Sequence, residues 1–273
     1  MKNKYTEKDF VRHALSMRRN MVKMVSRVKG AHLGGGLSIV EILVALYFGV
    51  LKIDPANPEA PDRDRIILSK GHCANALYAV LVERGFAPES ILETYFTNGT
   101  MLTGHPTKGC VPGVEVSTGA LGHGLSIGAG MAFSAKYDKK NHRVFVLLSD
   151  GECDEGSTWE AAMSAGARKL DNLVAIVDYN KIQSLGATKD ILDLEPFKKK
   201  WESFGFSAVE VNGHDFGALL KVFNRLPLKS GRPSVIIAHT VKGKGIPHLE
   251  NTVKSHYVPP TAEELEAVLR ELR

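Results

Sequence analysis

Two polar residues follow two apolar stretches of the chain. Asp150 comes after Val144–Leu148, and Asn180 comes after Leu173–Val177, about thirty residues later. Ligands of open α/β sheets bind outside the carboxyl ends of the strands, and a right-handed crossover of this length can place two strands side by side. We therefore expect both side chains to face one crevice. With the backbone carbonyl of Ile182 they suit a hard cation such as Mg²⁺, which also takes water and diphosphate oxygens.

Four histidines lie in predicted turns, several of them beside glycine or proline: His32, His72, His105 and His256. A single histidine in such a turn is more often a surface residue than a catalytic one. Functional residues nevertheless concentrate on turns that a rigid scaffold holds in place. Imidazole changes its charge near neutral pH, so these side chains suit proton transfer to hydroxyls and carbonyls.

The elements that must position these residues begin with two helical patterns, over about 6–29 and 37–50, joined by the turn 30–36. Ser38 is expected to cap the second helix. A loop punctuated by prolines leads to a short predicted strand, Arg65–Leu68. A further helix is predicted over Ala74–Arg84. Residues 99–130 are rich in glycine and weakly periodic, which is typical of a backbone that approaches a ligand closely.

Further strands are predicted at Val144–Leu148, Leu173–Val177 and Val235–His239, with a weaker one at Ser207–Val211. A helix over about Ser157–Leu170 connects the first two. Uninterrupted apolar strands that alternate with helices indicate a mostly parallel sheet with helices on both faces. The sequence therefore predicts the α/β class and one domain over residues 1–273.

Bulk composition narrows the possible function classes. The net charge of +5 arises from 35 basic and 30 acidic residues, without a basic run interleaved with aromatics, so anionic small ligands are favoured over nucleic acid. Three cysteines without a CxxC pair favour a reducing compartment, and we expect a cytoplasmic protein. The longest apolar stretch, Leu37–Leu51, contains Glu41 and is too short to cross a membrane.

Each strand-end feature is common alone, but their combination is specific. Asp150-Gly151-Glu152, followed by a buried strand that ends in Asn180-Lys181-Ile182, resembles the thiamine diphosphate signature. That signature has Gly-Asp-Gly and then an asparagine about thirty residues later. With the histidine turns and the segment 113–124, residues from about 10 to 260 are similar to the amino-terminal domain of transketolase. The split form, in which the two halves are separate chains, is particularly similar.

The resemblance implies a role for each matching position. Asp150, Asn180 and the Ile182 carbonyl would hold Mg²⁺, with Ca²⁺ or Mn²⁺ as substitutes. The implied cofactor-binding residues are His72 and Gly151 at the diphosphate, Gly119 and Leu121 at the rings, and Glu152, Lys242 and His256 near them. The implied catalytic histidines are His32, His72, His105 and His256. A structural ion pair is the alternative for Lys242.

Other matching positions concern assembly and specificity. Glu155 and Glu160 match acids at the interface between two active sites, although exposed helical acids are the alternative. Ser149 stands where the signature has its first glycine, Ala31 replaces a glycine, and His123 stands where glutamine is common. The last two departures lie near the expected substrate channel, so the preference for donor or acceptor can differ from that of the pentose phosphate enzyme.

The resemblance implies a thiamine diphosphate-dependent transferase of carbohydrate metabolism. It would move a two-carbon ketol unit from a ketose (phosphate) to an aldose (phosphate). A separate C-terminal subunit would supply a glutamate for the aminopyrimidine ring and arginines for the substrate phosphate, within a heterotetramer of two copies of each chain. Two alternatives stay open: the α subunit of a 2-oxo-acid dehydrogenase or decarboxylase, and a non-catalytic cofactor-binding protein.

Overall fold

The computed structural model describes residues 5–28 and 31–272. Helix α1 (Glu7–Val25) begins after Thr6, whose hydroxyl accepts from the Asp9 N–H, while the Asp9 carboxylate accepts from the Thr6 N–H. This reciprocal cap satisfies two of the free N–H groups of the first turn. The predicted first helix is confirmed as far as Val25, and positions 29 and 30 lie outside the described residues.

The second helical pattern is divided into three pieces. Helix α2 covers Gly34–Leu37, helix α3 covers Val40–Ala45, and a π-helical turn continues over Leu46–Val50. The predicted cap by Ser38 is wrong, because α3 begins after Ile39 without a side-chain cap. The Ser38 hydroxyl instead donates to the Asp178 carboxylate (2.6 Å), and the Gly35 carbonyl lies 2.9 Å from the same oxygen. A buried carboxylate is a stronger partner for this hydroxyl than a helix terminus can offer.

Five parallel strands form one sheet in the described part of the chain, in the order β1-β2-β3-β5-β4. Their bounds are β1 Arg65–Leu68, β2 Val144–Ser149, β3 Leu173–Tyr179, β4 Ser207–Asn212 and β5 Ser234–His239. All predicted strands, including the weak one, are confirmed. Ser149 is in register with Asp178, so Asp150 and Asn180 follow neighbouring strands at the same edge of the sheet.

Helices cover both faces of the sheet, as predicted. The remaining helices are α4 Ala74–Arg84, α5 Gly124–Tyr137, α6 Gly156–Ala167, α7 Thr188–Ile191, α8 Phe197–Ser203, α9 Phe216–Phe223 and α10 Leu265–Glu271. One core joins α1, α3, α4 and α9 to alternate strand residues such as Phe145 and Ile176. The other joins α5, α6 and α8 to the intervening ones, such as Val146 and Val177.

Irregular segments and short turns connect these elements. The predicted aperiodic segment 99–130 is irregular up to Gly124, where α5 begins. Short 3₁₀ turns add to the helices: Gly71–Cys73, Glu89–Thr94, Gly151–Asp154 and Lys254–His256. Within residues 5–28 and 31–272, no helix combines the length and the hydropathy that a membrane crossing needs.

Two glycines of α5 give a matched test of this packing. A Cβ at Gly128 would lie 2.4 Å from the Val146 Cγ2, whereas a Cβ at Gly130 would meet no atom within 4 Å. We expect Gly128→Ala to lower the free energy of unfolding by about 1–3 kcal/mol through overpacking. Gly130→Ala should raise it by about 0.5–1 kcal/mol because alanine favours the helix. Urea unfolding of both variants measures the difference, and equal values would contradict the packing of α5 on β2.

Candidate active site

A cavity of about 240 Å³ lies at the carboxyl ends of β1, β2 and β3. The segment that follows β5 closes one side of it. Nearly all the residues that the sequence assigns to the site line this cavity: His32, His72, His105, Gly119, Leu121, Asp150, Gly151, Asn180, Ile182, Lys242 and His256. The lining also includes residues that the sequence did not indicate: Gly35, Lys70, Gln183, Ser184 and Tyr257.

Asp150 supplies a buried carboxylate to the cavity. It accepts hydrogen bonds from the N–H of Gly151 (2.7 Å) and of Lys181 (2.6 Å). Burial, and then the negative charge of Asp178, raise the pKa of Asp150 to about 6. Among the described side chains no cation forms an ion pair with it. A carboxylate in this environment would be stabilised by a cation bound in the cavity.

Asn180 and Ile182 present further oxygens beside Asp150. The Asn180 amide donates to the Asp178 carboxylate (2.8 Å), which fixes its nitrogen and leaves its oxygen to accept from the Ile182 N–H (3.1 Å). The Ile182 carbonyl accepts from the Lys242 ammonium (2.8 Å). A carboxylate, an amide oxygen and a backbone carbonyl are hard ligands of the kind that Mg²⁺ prefers. The donor set therefore fits the predicted cation.

Beneath these ligands lies a buried ion pair between Lys70 and Asp178. Burial alone would raise the pKa of Asp178, but the Lys70 ammonium and the surrounding hydrogen bonds lower it. The charge of Asp178 likewise outweighs burial and raises the pKa of Lys70. This pair was not predicted from the sequence. The sequence signal for it is an acid inside the apolar strand β3 and a lysine two residues after the end of β1, since buried charges are nearly always paired.

The four histidines meet at the mouth of the cavity. The ring centroid of His32 lies 5.3 Å from that of His72, 6.0 Å from that of His105 and 5.1 Å from that of His256. Burial, and then neighbouring positive charges, lower the pKa of His32 to about 4 and that of His256 to about 3. Burial also lowers the pKa values of His72 and His105. All four rings are therefore neutral at physiological pH.

Two glycines let the chain segments that carry His72 and His105 pass close to each other. Gly119 has φ of +148°, and a Cβ there would lie 2.9 Å from the His105 Cδ2. A Cβ at Gly71 would lie 2.6 Å from the Thr118 Oγ1. A larger residue at either site would therefore displace the turn that carries His72 or the loop that carries His105.

Lys242 reaches into the cavity from the segment after β5. Its ammonium contacts the Ile182 carbonyl and the His256 Nδ1 (2.8 Å), and it forms no ion pair with a described carboxylate. Burial, and then the positive charge of Lys70, lower its pKa to about 8. A partly desolvated lysine beside a second one creates a positive field, which suits an anionic ligand.

Glu152 differs from the other predicted residues, because its side chain lies outside the cavity. It is fully buried and accepts from the Ser69 hydroxyl, the Gly122 N–H (2.9 Å) and the Ser149 N–H (3.3 Å). Burial raises its pKa. In this position Glu152 joins the turns that follow β1 and β2 to the start of α5, and its implied role in cofactor binding stays a prediction.

Comparison with known proteins identifies the family. Residues 11–272 match the family described as transketolase, thiamine diphosphate binding domain. The chain belongs to the transketolase family. It is 44% identical over 255 residues to one subunit of the apulose-4-phosphate transketolase of Phocaeicola vulgatus, which covers 93% of this chain and 90% of that protein. It is 40% identical over 264 residues to the 6-deoxy-6-sulfo-D-fructose transketolase subunit of Clostridium sp., covering 97% of this chain and 96% of the relative.

Solved transketolases share the fold. The transketolase of Campylobacter jejuni superposes with a TM-score of 0.91 at 31% identity, over 98% of this chain and 43% of that one. The transketolase of Leishmania mexicana gives a TM-score of 0.87 at 28% identity, over 95% of this chain and 40% of that one. This chain therefore corresponds to less than half of either enzyme, and to its thiamine diphosphate-binding domain.

Three residues depart from the transketolase pattern. Ser149 ends β2 in an extended conformation and is absent from the described residues with positive φ. A glycine is therefore not needed at this position. Ala31 is buried beside His32, and His123 is exposed at the start of α5, with its Nδ1 3.1 Å from the Leu121 carbonyl.

The lowered pKa of His32 predicts how stability depends on pH. Below about pH 6.5 the unfolded chain takes up a proton at His32, whereas the folded chain does so only near pH 4. The contribution of His32 to the free energy of unfolding is therefore fully present above pH 6.5 and is lost as the pH falls toward 4. We expect His32→Asn to flatten the fall in the free energy of unfolding, by at most about 1.4 kcal/mol per pH unit.

Urea unfolding between pH 7.5 and 4.5 measures this difference. His123→Asn is the control for replacing a histidine as such. If the free energy of unfolding fell equally with pH in the wild type and in His32→Asn, the folded cavity would not hold His32 neutral.

Proposed function

We propose that this chain is the thiamine diphosphate-binding subunit of a two-chain transketolase. The enzyme would move a two-carbon ketol unit from a ketose or ketose phosphate to an aldose or aldose phosphate. The observation that carries the proposal is the shared cavity, in which Asp150 and Asn180 lie beside four neutral histidines. Relatives that match over nearly their whole length are named as transketolase subunits, which supports the division into two chains.

In this proposal Asp150, Asn180 and the Ile182 carbonyl hold Mg²⁺, with Ca²⁺ or Mn²⁺ as substitutes, and the metal binds the diphosphate. The oxygen donors and the unpaired buried charge of Asp150 support this assignment. Lys242, with Gly151 and His72, faces the diphosphate, while Gly119 and Leu121 face the rings. Thiamine diphosphate supplies the carbon nucleophile and stabilises the carbanion that remains when a carbon–carbon bond breaks.

The histidines are assigned to the substrate. Neutral imidazoles can accept a proton from a sugar hydroxyl and return one to a developing alkoxide, and four of them surround one small volume. His32, His105 and His256 are therefore proposed as proton-transfer groups, with His72 between them and the diphosphate. The relatives' names, with a ketose phosphate in one and a sulfonated ketose in the other, support an anionic ketose as donor.

The partner would be a C-terminal transketolase subunit, in a heterotetramer of two copies of each chain. Glu155 and Glu160 are exposed and lie at the start and on the outer face of α6. Met163, three residues after Glu160 in α6, is also exposed, and so is Phe133 of α5, whose ring packs against Arg168 at the end of α6. Apolar side chains with acids around them are typical of a surface that another protein covers, so we assign this face to the assembly.

The chain would act as one domain, because both cores pack against a single sheet. The described cysteines Cys73, Cys110 and Cys153 are all buried and free. Free thiols suit a reducing compartment, which supports the proposed cytoplasmic location.

Reconstitution tests the proposed activity. The chain should show no two-carbon transfer alone, and transfer should appear when the product of the neighbouring reading frame is added in equal amount. The assay uses D-xylulose 5-phosphate, D-fructose 6-phosphate and pyruvate as alternative donors, with light scattering for the assembly. Equal turnover by the isolated chain would disprove the divided site, and turnover of pyruvate alone would instead indicate a 2-oxo-acid enzyme.

Substitution at the metal site tests the proposed cofactor binding. Asp150→Asn keeps the shape but removes the charge, so the affinity of the reconstituted enzyme for thiamine diphosphate with Mg²⁺ should fall about 100-fold or more. Calorimetry measures the affinity. Asp190→Asn, an exposed acid of α7 outside the cavity, is the matched control and should bind like the wild type. An unchanged affinity in Asp150→Asn would remove Asp150 from the metal site.

A further inference from the structure

A second pocket adjoins the mouth of the cavity. It has a volume of about 260 Å³ and shares His32 and His105 with the main cavity. Its other walls include Ala31, Tyr95 and Phe96, and we call it the Phe96 pocket. Because His32 and His105 line both the cavity and this pocket, a substrate that contacts these two histidines lies next to the pocket.

Phe96 is held in an unusual conformation at this pocket. Its φ is +59°, and half of its surface is exposed. Left-handed backbone is unfavourable for a bulky residue, and exposure of an aromatic ring adds a further cost. Two features maintain it: the Phe96 N–H donates to the Leu102 carbonyl (2.8 Å), and Gly104 lets the ring lie on its backbone, where a Cβ would be 2.5 Å from the Phe96 Cε2. A strained, exposed ring beside functional residues indicates a binding role.

The other lining groups are uncharged and rich in hydroxyls. Among the described residues that line the pocket there is no lysine, arginine, aspartate or glutamate. The hydroxyl of Thr103 donates to the His105 carbonyl (2.6 Å) and that of Thr118 to the Leu68 carbonyl (2.8 Å), so both oxygens can still accept. An aromatic face with hydroxyl acceptors suits the C–H and O–H groups of a polyol. It does not suit a phosphate, which needs cations or free N–H groups.

We propose that the Phe96 pocket binds the uncharged, hydroxylated part of the sugar acceptor, beyond the carbons that meet His32 and His105. Phe96 is then a specificity-determining residue, because its ring recognises chain length rather than terminal charge. The inference rests on the proposed ketol transfer. It concerns only the substrate, so the binding of thiamine diphosphate should not depend on Phe96.

The experiment compares acceptors of two lengths in the reconstituted enzyme. D-Erythrose has four carbons and reaches the pocket, whereas glycolaldehyde has two and ends near the histidines. With the best donor of the reconstitution assay held at saturation, Phe96→Ala should raise the KM for D-erythrose about ten-fold. The KM for glycolaldehyde and the affinity for thiamine diphosphate should stay within two-fold of the wild-type values.

Two variants serve as controls. Met101→Ala truncates an exposed apolar residue near Phe96 in the sequence that does not line the pocket, and it should leave both KM values unchanged. Phe96→Trp keeps an aromatic wall and should hold the KM for D-erythrose within about two-fold. If Phe96→Ala does not fold, Phe96→Arg replaces it as the variant that removes the apolar wall, and the same KM comparison applies.

The outcomes separate the two levels of inference. A wild-type complex without transfer from any donor would reject the proposed function itself. An active complex in which Phe96→Ala changes both acceptors equally, or neither, would reject the Phe96 pocket as an acceptor site and leave the proposed function intact. A selective rise for D-erythrose would support the pocket.

Discussion

A single buried carboxylate, that of Asp178, joins the segments that build the site. It accepts from the Lys70 ammonium after β1, the Ser38 hydroxyl before α3, the Asn180 amide after β3 and the Thr240 hydroxyl after β5. Removal of one member of such a buried pair typically costs about 3–5 kcal/mol, because the other charge is left without a partner. Four donors around one acid therefore hold the strand ends in one relative arrangement. They also determine the orientation of the Asn180 amide, on which the proposed metal site depends.

The same arrangement controls the charge of the cavity. Asp178 neutralises Lys70, while burial, and then neighbouring positive charges, lower the pKa values of His32 and His256 and keep both rings uncharged. A lysine and uncharged imidazoles can then face an anionic cofactor and a sugar without competing for the same proton. If Asp178 were absent, Lys70 would present a second unpaired ammonium next to Lys242, and the pKa values of the nearby groups would change together.

Much of this architecture could be predicted from the sequence, because the strands are continuous apolar runs and their ends carry the polar residues. The positions of Asp150 and Asn180 follow from that pattern, and the four histidines lie in the turns where the sequence predicts them. The partners of buried polar side chains do not. Ser38 is a candidate helix cap in the sequence, but in the fold its hydroxyl donates to the Asp178 carboxylate (2.6 Å). The Glu152 carboxylate likewise accepts from the Gly122 and Ser149 N–H groups, which no sequence pattern indicates. Likewise the strain at Phe96 depends on Leu102 and Gly104 being folded against it. Such contacts depend on three-dimensional packing, so the periodicity of the sequence does not indicate them.

The composition of the cavity also bears on the need for a second chain. Among the described residues that line it, Asp150 is the only carboxylic acid, and it is assigned to the proposed metal site. The neighbouring acids are equally committed, since Asp178 pairs with Lys70 and Glu152 binds Ser69. No acid of this described lining is therefore left to exchange a proton with a bound cofactor ring. A thiamine enzyme that uses a carboxylic acid for that step has to take it from outside this lining. The mouth of the cavity, where His105 and Tyr257 are exposed, is the face through which a partner chain can supply it.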